Sequence, residues 1–315
     1  MTMKKLAFSL CALMLGACSN ISTSQLNLNL PRNAPAAVTV DNQVYVIGGQ
    51  NSQGPRDVIE KIDLQQNSVS ELSTKLMPRT YGSAVSDGQG HIYVLGGTTR
   101  FRLQGHVTNP TVEVFDTESG EVLYGRDLPH PRRSTAAVRV GNKIYVIGGS
   151  TVVEKPLFRI AASAKVDILD LDTQTWSQGA DMPQAAETKA VVYQGKIYIV
   201  GGENFVNPLP MFACYDPQTD KWQRLESLPF GISYESAIVV GDKLLTFGNE
   251  RKLELVMQYD FNTQKWQQLK NIPFRPSRNQ GITQVGDKVV IVGGSISGKD
   301  ALDDIQVLPA TLLNR

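Results

Sequence analysis

The sequence has few of the side chains that build metal or thiol sites. Its 315 residues include three cysteines, and the three histidines, His91, His106 and His130, do not have the spacing of metal ligands. A zinc site needs Cys or His ligands at short, regular spacing, so we expect no metal. Phosphate-binding glycine loops, dinucleotide fingerprints and nucleophile elbows are also missing, and we expect no cofactor.

An excess of charge of either sign is also missing. The chain has 31 Lys and Arg against 30 Asp and Glu. Residues 1–17 hold two of the lysines and no acid, so removing them leaves 29 basic and 30 acidic residues, a net charge of about −1. Domains that bind nucleic acid carry basic surfaces, and this balance does not favour a nucleic-acid partner.

The apolar run near the N-terminus is too short to span a membrane. Leu6–Leu15 has ten residues and follows Lys4 and Lys5, whereas a spanning helix needs about 20. The pattern predicts a signal peptide at 1–17. Leu15-Gly-Ala-Cys18 resembles a bacterial lipobox, which implies acylation of Cys18 and anchoring in the cell envelope, at the outer membrane. The alternative is a plain signal peptide that is cleaved elsewhere.

Loss of Cys11 with the signal peptide and acylation of Cys18 would leave Cys214 as the one remaining thiol. No internal disulfide is then possible. Cys214 lies in a strand-like run, where we expect a small buried side chain. Residues 18–24 are polar and without periodicity, and we interpret them as a tether.

A repeated strand that ends in two glycines is the main feature of the remaining chain. Lys143-Ile-Tyr-Val-Ile-Gly-Gly149 is the clearest copy, and the first glycines of the six copies stand at 48, 96, 148, 201, 248 and 293. The fifth copy is degenerate, with Asn249 in place of the second glycine. Copies at near-constant spacing of 45 to 53 residues indicate a repeat architecture. Short strand-like segments separated by turn residues, with no helical period, predict an all-β array.

The turn between the third and fourth strand of each repeat is also regular. An aspartate stands six residues before a tryptophan in three repeats, and the side chain of such an Asp can bind the turn backbone. We predict that the tryptophans are structural residues buried between sheets. These pairs are Asp170 and Trp176, Asp216 and Trp222, and Asp260 and Trp266.

The last repeat stops without a fourth strand. Residues 25–30, Gln-Leu-Asn-Leu-Asn-Leu, lie outside the first repeat and have the alternation of a strand. Pairing the two would close a ring and remove the exposed sheet edges. The predicted domain is therefore 25–309, with a C-terminal tail at 310–315.

An aromatic residue before Gly-Gly, an acidic turn and then Trp is a pattern that resembles kelch repeats. The resemblance covers about residues 25–309 and implies a β-propeller of four-stranded blades, here six. It implies a monomeric module that binds a ligand or an envelope protein.

In kelch proteins the loops after Gly-Gly and the linkers between blades share one face. Converging guanidinium groups there could bind a carboxylate, another anion or a glycan. The alternative is that these arginines bind neighbouring loop carbonyls. The candidates are Arg32, Arg79, Arg132, Arg133, Arg275 and Arg278 in the linkers, and Arg100 in the loop of the second blade.

An enzymatic alternative stays open. The chain is similar in outline to the kelch enzyme N-acetylneuraminate epimerase, whose site implies a Gly-Glu pair followed by an arginine. Gly202-Glu203 matches the first half, but no arginine follows before Met211. Under this alternative Glu203 and Glu250 would be acid or base, with Arg251 beside them.

Overall fold

The structure is a computed structural model that describes residues 26–101, 105–153 and 157–314. The predicted signal peptide, Cys18 and the whole of the predicted tether at 18–24 lie outside these residues. Six four-stranded antiparallel sheets form the blades of a β-propeller. The predicted fold class and the number of blades are therefore confirmed.

Each blade runs from an inner strand at the axis to an outer strand at the rim. In that order the strands of blade one are Ala36–Val40, Gln43–Ile47, Gly54–Asp63 and Ser68–Arg79, and those of blade two are Ser83–Ser86, His91–Leu95, Glu113–Asp116 and Val122–Tyr124. Blade three has Ala136–Val140, Lys143–Ile147, Val166–Asp170 and Thr175–Gly179, and blade four has Glu187–Tyr193, Lys196–Glu203, Phe212–Asp216 and Lys221–Arg224. Blade five has Ser236–Val240, Lys243–Phe247, Val256–Asp260 and Lys265–Gln268, and blade six has Gly281–Val285, Lys288–Val292, Leu302–Pro309 and Asn27–Arg32.

The outer strand of blade six comes from the N-terminal end of the domain. Asn27–Arg32 pairs antiparallel with Leu302–Pro309, and Asn27 lies opposite Asp304. This pairing joins the two ends of the repeat array and closes the ring.

The hydrophobic core is divided among the interfaces between blades. Six clusters of buried side chains each combine residues of two neighbouring blades. Tyr45 of blade one, for example, contacts Phe115 of blade two edge to face, with ring centroids 6.1 Å apart. Each blade thus buries its apolar faces against both neighbours, and no single blade has a core of its own.

The glycine pairs allow the linker that leaves a blade to cross the end of its second strand closely. Gly96 has φ +60°, and a Cβ at this position would lie 2.4 Å from the carbonyl oxygen of Arg132. Gly148 has φ +60°, and its Cβ would lie 2.6 Å from the carbonyl oxygen of Ala186. Both the positive φ and the close contact require glycine.

Each tryptophan spans two blades. Its indole N–H donates to a carbonyl oxygen that follows the outer strand of the preceding blade. The pairs are Trp176 to Arg126 at 3.0 Å, Trp222 to Ala180 at 2.9 Å and Trp266 to Glu226 at 3.2 Å.

A seventh sheet lies outside the blades, and the sequence did not predict it. It joins the long loops of blades two and three in the order Arg159–Ala162, Ser150–Val153, Gly105–Thr108 and Thr98–Phe101. We call it the loop sheet. A short strand in the loop of blade one, Gln50–Asn51, pairs with the start of Gly54–Asp63.

The C-terminal residues pack against the propeller. Ala310–Leu313 forms one helical turn. Leu313 is fully buried among side chains of blades five and six, and its carbonyl oxygen accepts a hydrogen bond from Gln258 at 2.8 Å. In the described part of the chain no helix has the length and apolarity required to cross a membrane.

Candidate binding face

Antiparallel blades place two kinds of loop at the same end of the propeller. These are the loops that follow the second strands and the linkers 33–35, 80–82, 125–135, 180–186, 225–235 and 269–280. We call this end the loop face and the opposite end, which carries the two-residue hairpins and the Asp turns, the turn face. The predicted arginines and glutamates all belong to the loop face or lie just beneath it.

The structure does not bring the six linker arginines together, and three of them need a correction. Arg32, Arg79 and Arg132 are at most 1% exposed. Arg32 and Arg79 end the outer strand of the preceding blade, and Arg132 lies in the linker. Each side chain reaches into the next blade and forms a buried ion pair with an acid of its third strand. The pairs are Arg32 with Glu60, Arg79 with Glu113, and Arg132 with Asp167.

Backbone carbonyls complete the surroundings of these guanidinium groups. Arg132, for example, also donates to the carbonyl oxygens of Lys165 at 2.6 Å and Val146 at 3.3 Å. Burial lowers the pKa of the three arginines, and the attraction of the partner carboxylates opposes this effect. An arginine in such a site remains charged. These residues hold neighbouring blades together and cannot reach a ligand at the channel mouth.

The other three blades lack both members of the pair. The equivalent linker residues are Ala186, Ile232 and Ser277, whose backbone crosses the glycines of the preceding blade in the same way. In blade three the acid, Asp167, lies opposite Val146 of the second strand. The third-strand residues at the same register in blades four, five and six are Ala213, Met257 and Gln306. Arginine and acid therefore occur together or are absent together, as expected when a lone buried charge is costly.

Arg275 and Arg100 lie away from the channel mouth. Arg275 forms an ion pair with Asp304 of blade six at 3.1 Å. Arg100 is exposed on Thr98–Phe101, the edge strand of the loop sheet.

Arg133 faces the channel mouth. Its Nε donates to Glu187 Oε1 at 2.9 Å, and its Cζ lies 4.6 Å from the ring centroid of Tyr81. Ser150 donates to the same carboxylate oxygen at 2.5 Å. The terminal N–H groups of Arg133 have no partner in the described residues, and the side chain remains 19% exposed. The guanidinium group is thus held from one side and open on the other.

Arg278 repeats this arrangement on the other side of the channel. It forms an ion pair with Glu250 at 3.6 Å, and its Cζ lies 5.6 Å from the ring centroid of Tyr234. Tyr81 and Tyr234 precede blades two and five, and the two arginines precede blades three and six. Blades three apart in a ring of six are opposite each other. The mouth therefore has an approximate twofold arrangement of Arg–Tyr pairs.

The three acids of the mouth surround Tyr234. Burial, together with the charges of Glu187, Glu203 and Glu250, raises the pKa of Tyr234 to about 12. Burial also raises the pKa of Tyr81, which Arg133 opposes. Both phenols are therefore neutral hydrogen-bonding groups at physiological pH.

The candidate catalytic residues are occupied by local contacts. Glu203 is 7% exposed, and one of its carboxylate oxygens accepts the N–H of Phe205 at 2.5 Å. Glu250 is paired with Arg278, and Arg251 is exposed to solvent. Arg79, which the sequence placed at the same mouth, is buried elsewhere.

A pocket opens between Arg133 and the loop sheet. Tyr81, Thr80 and Phe158 line it together with Arg133. The Thr80 hydroxyl is buried and has no partner in the described part of the chain, while Phe158 is 60% exposed. We call this the mouth pocket. Gln50, Thr98, His106 and Val152 complete its lining.

Exposed apolar side chains surround the mouth. Of the eight large hydrophobic residues that are exposed in the described residues, five lie on the loop face. They come from the loops of blades three, four and six and from the linker to blade five. They are Leu157, Phe158, Val206, Phe230 and Ile296.

Two of these side chains lie on loops that are held by hydrogen bonds. Asn204 Oδ1 accepts the N–H groups of Val206 and Asn207, both at 2.9 Å. Asp300 accepts the N–H of Ile296 at 3.0 Å and the hydroxyl of Ser295 at 2.7 Å. An apolar side chain on a fixed loop loses little conformational entropy on binding.

Sequence reasoning gave no role to Glu235, which lies beside the channel. Its side chain is 1% exposed, and its Oε2 has no hydrogen-bond partner in the described residues. Burial raises its pKa to about 7. The signal in the sequence was a break in the repeat, because four of the equivalent positions hold the uncharged residues Pro35, Gly82, Thr135 and Gln280, and the one in blade four holds Lys189.

Metal and thiol chemistry have no centre among the described residues. No group of three or more His, Cys, Asp and Glu side chains could hold a metal ion there. Cys214 is a free, buried thiol, and burial raises its pKa. It therefore carries the proton at neutral pH.

Comparison with known proteins matches most of the chain to one family. The model of the KLHDC2/KLHL20/DRC7 Kelch-repeats domain matches residues 34–249. Kelch-like protein 25 of Xenopus tropicalis is 25% identical over 212 residues, which cover 64% of this chain and 34% of that protein.

Two further relatives give the same result. Kelch-like protein 23 of Homo sapiens is 26% identical over 208 residues, 65% of this chain and 34% of that protein. Alpha-scruin of Limulus polyphemus is 26% identical over 205 residues, 62% of this chain and 22% of that protein. The matched region spans about a third of the length of the two Kelch-like proteins and less of alpha-scruin.

Proposed function

Since the chain belongs to the Kelch-repeat family, whose propellers are typically protein-binding modules, we propose that it binds a partner protein through its loop face. The partner covers the exposed apolar side chains around the mouth and places a carboxylate in the mouth pocket. Aromatic and arginine side chains surrounded by apolar contacts are the usual centre of a protein interface.

The open edge of the Arg133 guanidinium carries this proposal. Glu187 and Tyr81 fix its orientation, so its free N–H groups meet a carboxylate without a large loss of side-chain entropy. Phe158 supplies an apolar wall beside it. A short segment with an Asp or Glu next to an apolar residue matches this pocket.

Of the arginines predicted from the sequence to bind a ligand, Arg133 is the one that supports an acidic ligand. Arg278 is paired with Glu250, and Glu203 adds a further acid to the mouth. A free anion at Arg133 would be repelled by these acids. A carboxylate on a peptide would be held at Arg133 by the contacts that the rest of the peptide makes. We therefore favour a protein over a free anion or a glycan.

Selection of displayed peptides tests this partner chemistry. A random peptide library is selected against the full chain and counter-selected against Arg133→Ala. We expect enrichment of an acidic residue next to an apolar one. Equal enrichment on both chains, or enrichment of basic peptides, would contradict the proposal.

We further propose that Cys18 anchors the protein in the cell envelope. The support is the lipobox-like sequence at the end of an apolar run. Mass spectrometry of the N-terminal peptide checks this directly: an acylated peptide that begins at Cys18 is expected, and a peptide that begins elsewhere without acyl chains would refute it.

The epimerase alternative is not carried further. Glu203 and Glu250 are held by Phe205 and Arg278, and none of the contacts places either acid against an unpaired arginine. The comparisons give no support to it.

A further inference from the structure

The central channel contains a cavity beneath the mouth, within a ring of left-handed residues. Ala34, Tyr81, Ser134, Tyr234 and Asn279 have φ between 48° and 60° and line it. Backbone hydrogen bonds connect them in the order Tyr234, Asn279, Ala34, Tyr81 and Ser134. The ring is open at blade four, where the strand Glu187–Tyr193 continues past this level.

Two residues that line this cavity each have a buried acceptor without a protein donor. Glu235 Oε2 and Gln280 Oε1 have no hydrogen-bond partner among the described residues, and the side chains are 1% and 5% exposed. The amide nitrogen of Gln280 is used, because it donates to the carbonyl oxygen of Phe247 at 2.9 Å. This hydrogen bond fixes the orientation of the amide and leaves its oxygen free to accept a hydrogen bond. Buried acceptors of this kind call for a donor.

The other charges of the cavity are a paired acid and one lysine. Glu187 is neutralised by Arg133. Lys189 of blade four lines the same cavity and attracts Glu235, but this attraction lowers the Glu235 pKa less than burial raises it. The Lys189 ammonium group forms no hydrogen bond or ion pair in the described residues. Lys189 thus compensates part of the charge of Glu235 without donating a hydrogen bond to it.

We propose that this cavity binds a primary ammonium group on a slender alkyl chain. Such a group carries three N–H donors and no acceptor, which matches a carboxylate and an amide oxygen. Its positive charge compensates the buried carboxylate, and the rings of Tyr81 and Tyr234 line the same cavity and are favourable neighbours for a cation. The site shares Tyr81 with the mouth pocket, but it does not depend on the protein partner proposed above.

Titration of the full chain with n-butylammonium, followed by ligand NMR or calorimetry at pH 8, tests this site. n-Butanol is the neutral probe of the same shape. We expect binding of the amine and at least tenfold weaker binding of the alcohol. Because the ammonium group requires an ionised Glu235, we also expect weaker binding of the amine at pH 6.

Three variants separate the roles of the lining residues. Glu235→Gln should weaken amine binding at least tenfold, and Gln280→Met should weaken it several-fold. Lys189→Met should strengthen it, since the internal cation that competes for Glu235 is removed. Lys252→Met, the same change at an exposed lysine, is the control and should have no effect.

The opposite results would overturn the proposal. These are no binding of the amine, equal binding of amine and alcohol, or unchanged amine binding by Glu235→Gln. A failure here leaves the peptide selection on Arg133 unaffected, so the two proposals stand or fall separately.

Discussion

Arg132 and Arg133 are neighbours in the chain, but their guanidinium groups lie in different environments. Arg132 is fully buried and donates to Asp167 at 2.5 Å, whereas Arg133 lies at the channel mouth and remains 19% exposed. One residue of displacement along the linker thus separates a group that joins two blades from a group that can meet a partner. Replacement of Arg132 should therefore lower the stability of the protein, and replacement of Arg133 should lower its affinity for a partner.

Arg132→Ala is expected to lower the free energy of unfolding by about 3–5 kcal/mol, because it removes the guanidinium group that compensates the buried Asp167 and leaves this carboxylate only the partly exposed His130 at 2.8 Å. Arg133→Ala should cost clearly less than Arg132→Ala, since the Arg133 side chain is 19% exposed and Ser150 still donates to the Glu187 carboxylate in the variant. Urea denaturation of the full chain measures both. Equal losses in the two variants would contradict the assignment of roles.

The double variant Arg132→Ile with Asp167→Met should regain most of the stability lost by Arg132→Ala. The chain itself uses this pair at the next but one interface, where Ile232 and Met257 occupy the equivalent positions. Apolar replacement of both buried charges is often neutral or stabilising. A double variant as unstable as Arg132→Ala would show that the ion pair contributes more than charge compensation.

Leu313→Ala should destabilise the protein by about 2–5 kcal/mol, the usual range for a buried leucine. Leu313 is fully buried against blades five and six, so the last residues act as part of the core. Val307→Ala, at a side chain that is 39% exposed, is the control and should cost much less. Thermal unfolding compares the two, and equal midpoints would mean that the C-terminal turn does not stay packed.

Glu235 predicts a stability that falls as pH rises. Its folded pKa of about 7 lies above the ordinary value of 4.5, so the folded state keeps a proton that the unfolded state releases. Its contribution is complete below about pH 4.5 and is lost as pH rises to about 7.

Glu235→Gln removes this loss. The variant should match the parent at pH 4.5 and be more stable at pH 8, by up to about 3 kcal/mol at about 1.4 kcal/mol per pKa unit. The turn aspartates, whose pKa values are lowered by turn hydrogen bonds, are common to both chains and cancel in the difference. A gain of equal size at both pH values would point to packing instead of ionisation.

Val206→Ser and Ile296→Ser should weaken partner binding without loss of stability, because these side chains are 77% and 54% exposed. Leu123→Ser, at a residue 60% exposed on the outer strand of blade two, is the matched control. The measurement is the yield of partner captured from native cells at equal bait. Equal yields from all three would place the interface elsewhere.

The fold could be predicted from the sequence because its signals are local and repeat. Gly-Gly and the Asp turn each occur in five of the six units, the tryptophan occurs in three, and an unpaired strand remained at each end of the array. The different environments of Arg132 and Arg133 could not be predicted in the same way, because the acid that pairs with Arg132 lies 35 residues later on another strand. The loop sheet was also missed, because it requires two loops of different blades to pair.

Crosslinking in the native cell tests the central claim, that the loop face binds a protein. A photoreactive amino acid at Phe158, beside the mouth pocket, is compared with one at Gln66 on the turn face, each with and without Arg133→Ala. A discrete protein adduct is expected at Phe158, with a large loss when Arg133 is replaced, and none at Gln66. Adducts of equal yield at both positions, or an adduct at Phe158 that is unaffected by Arg133→Ala, would contradict it.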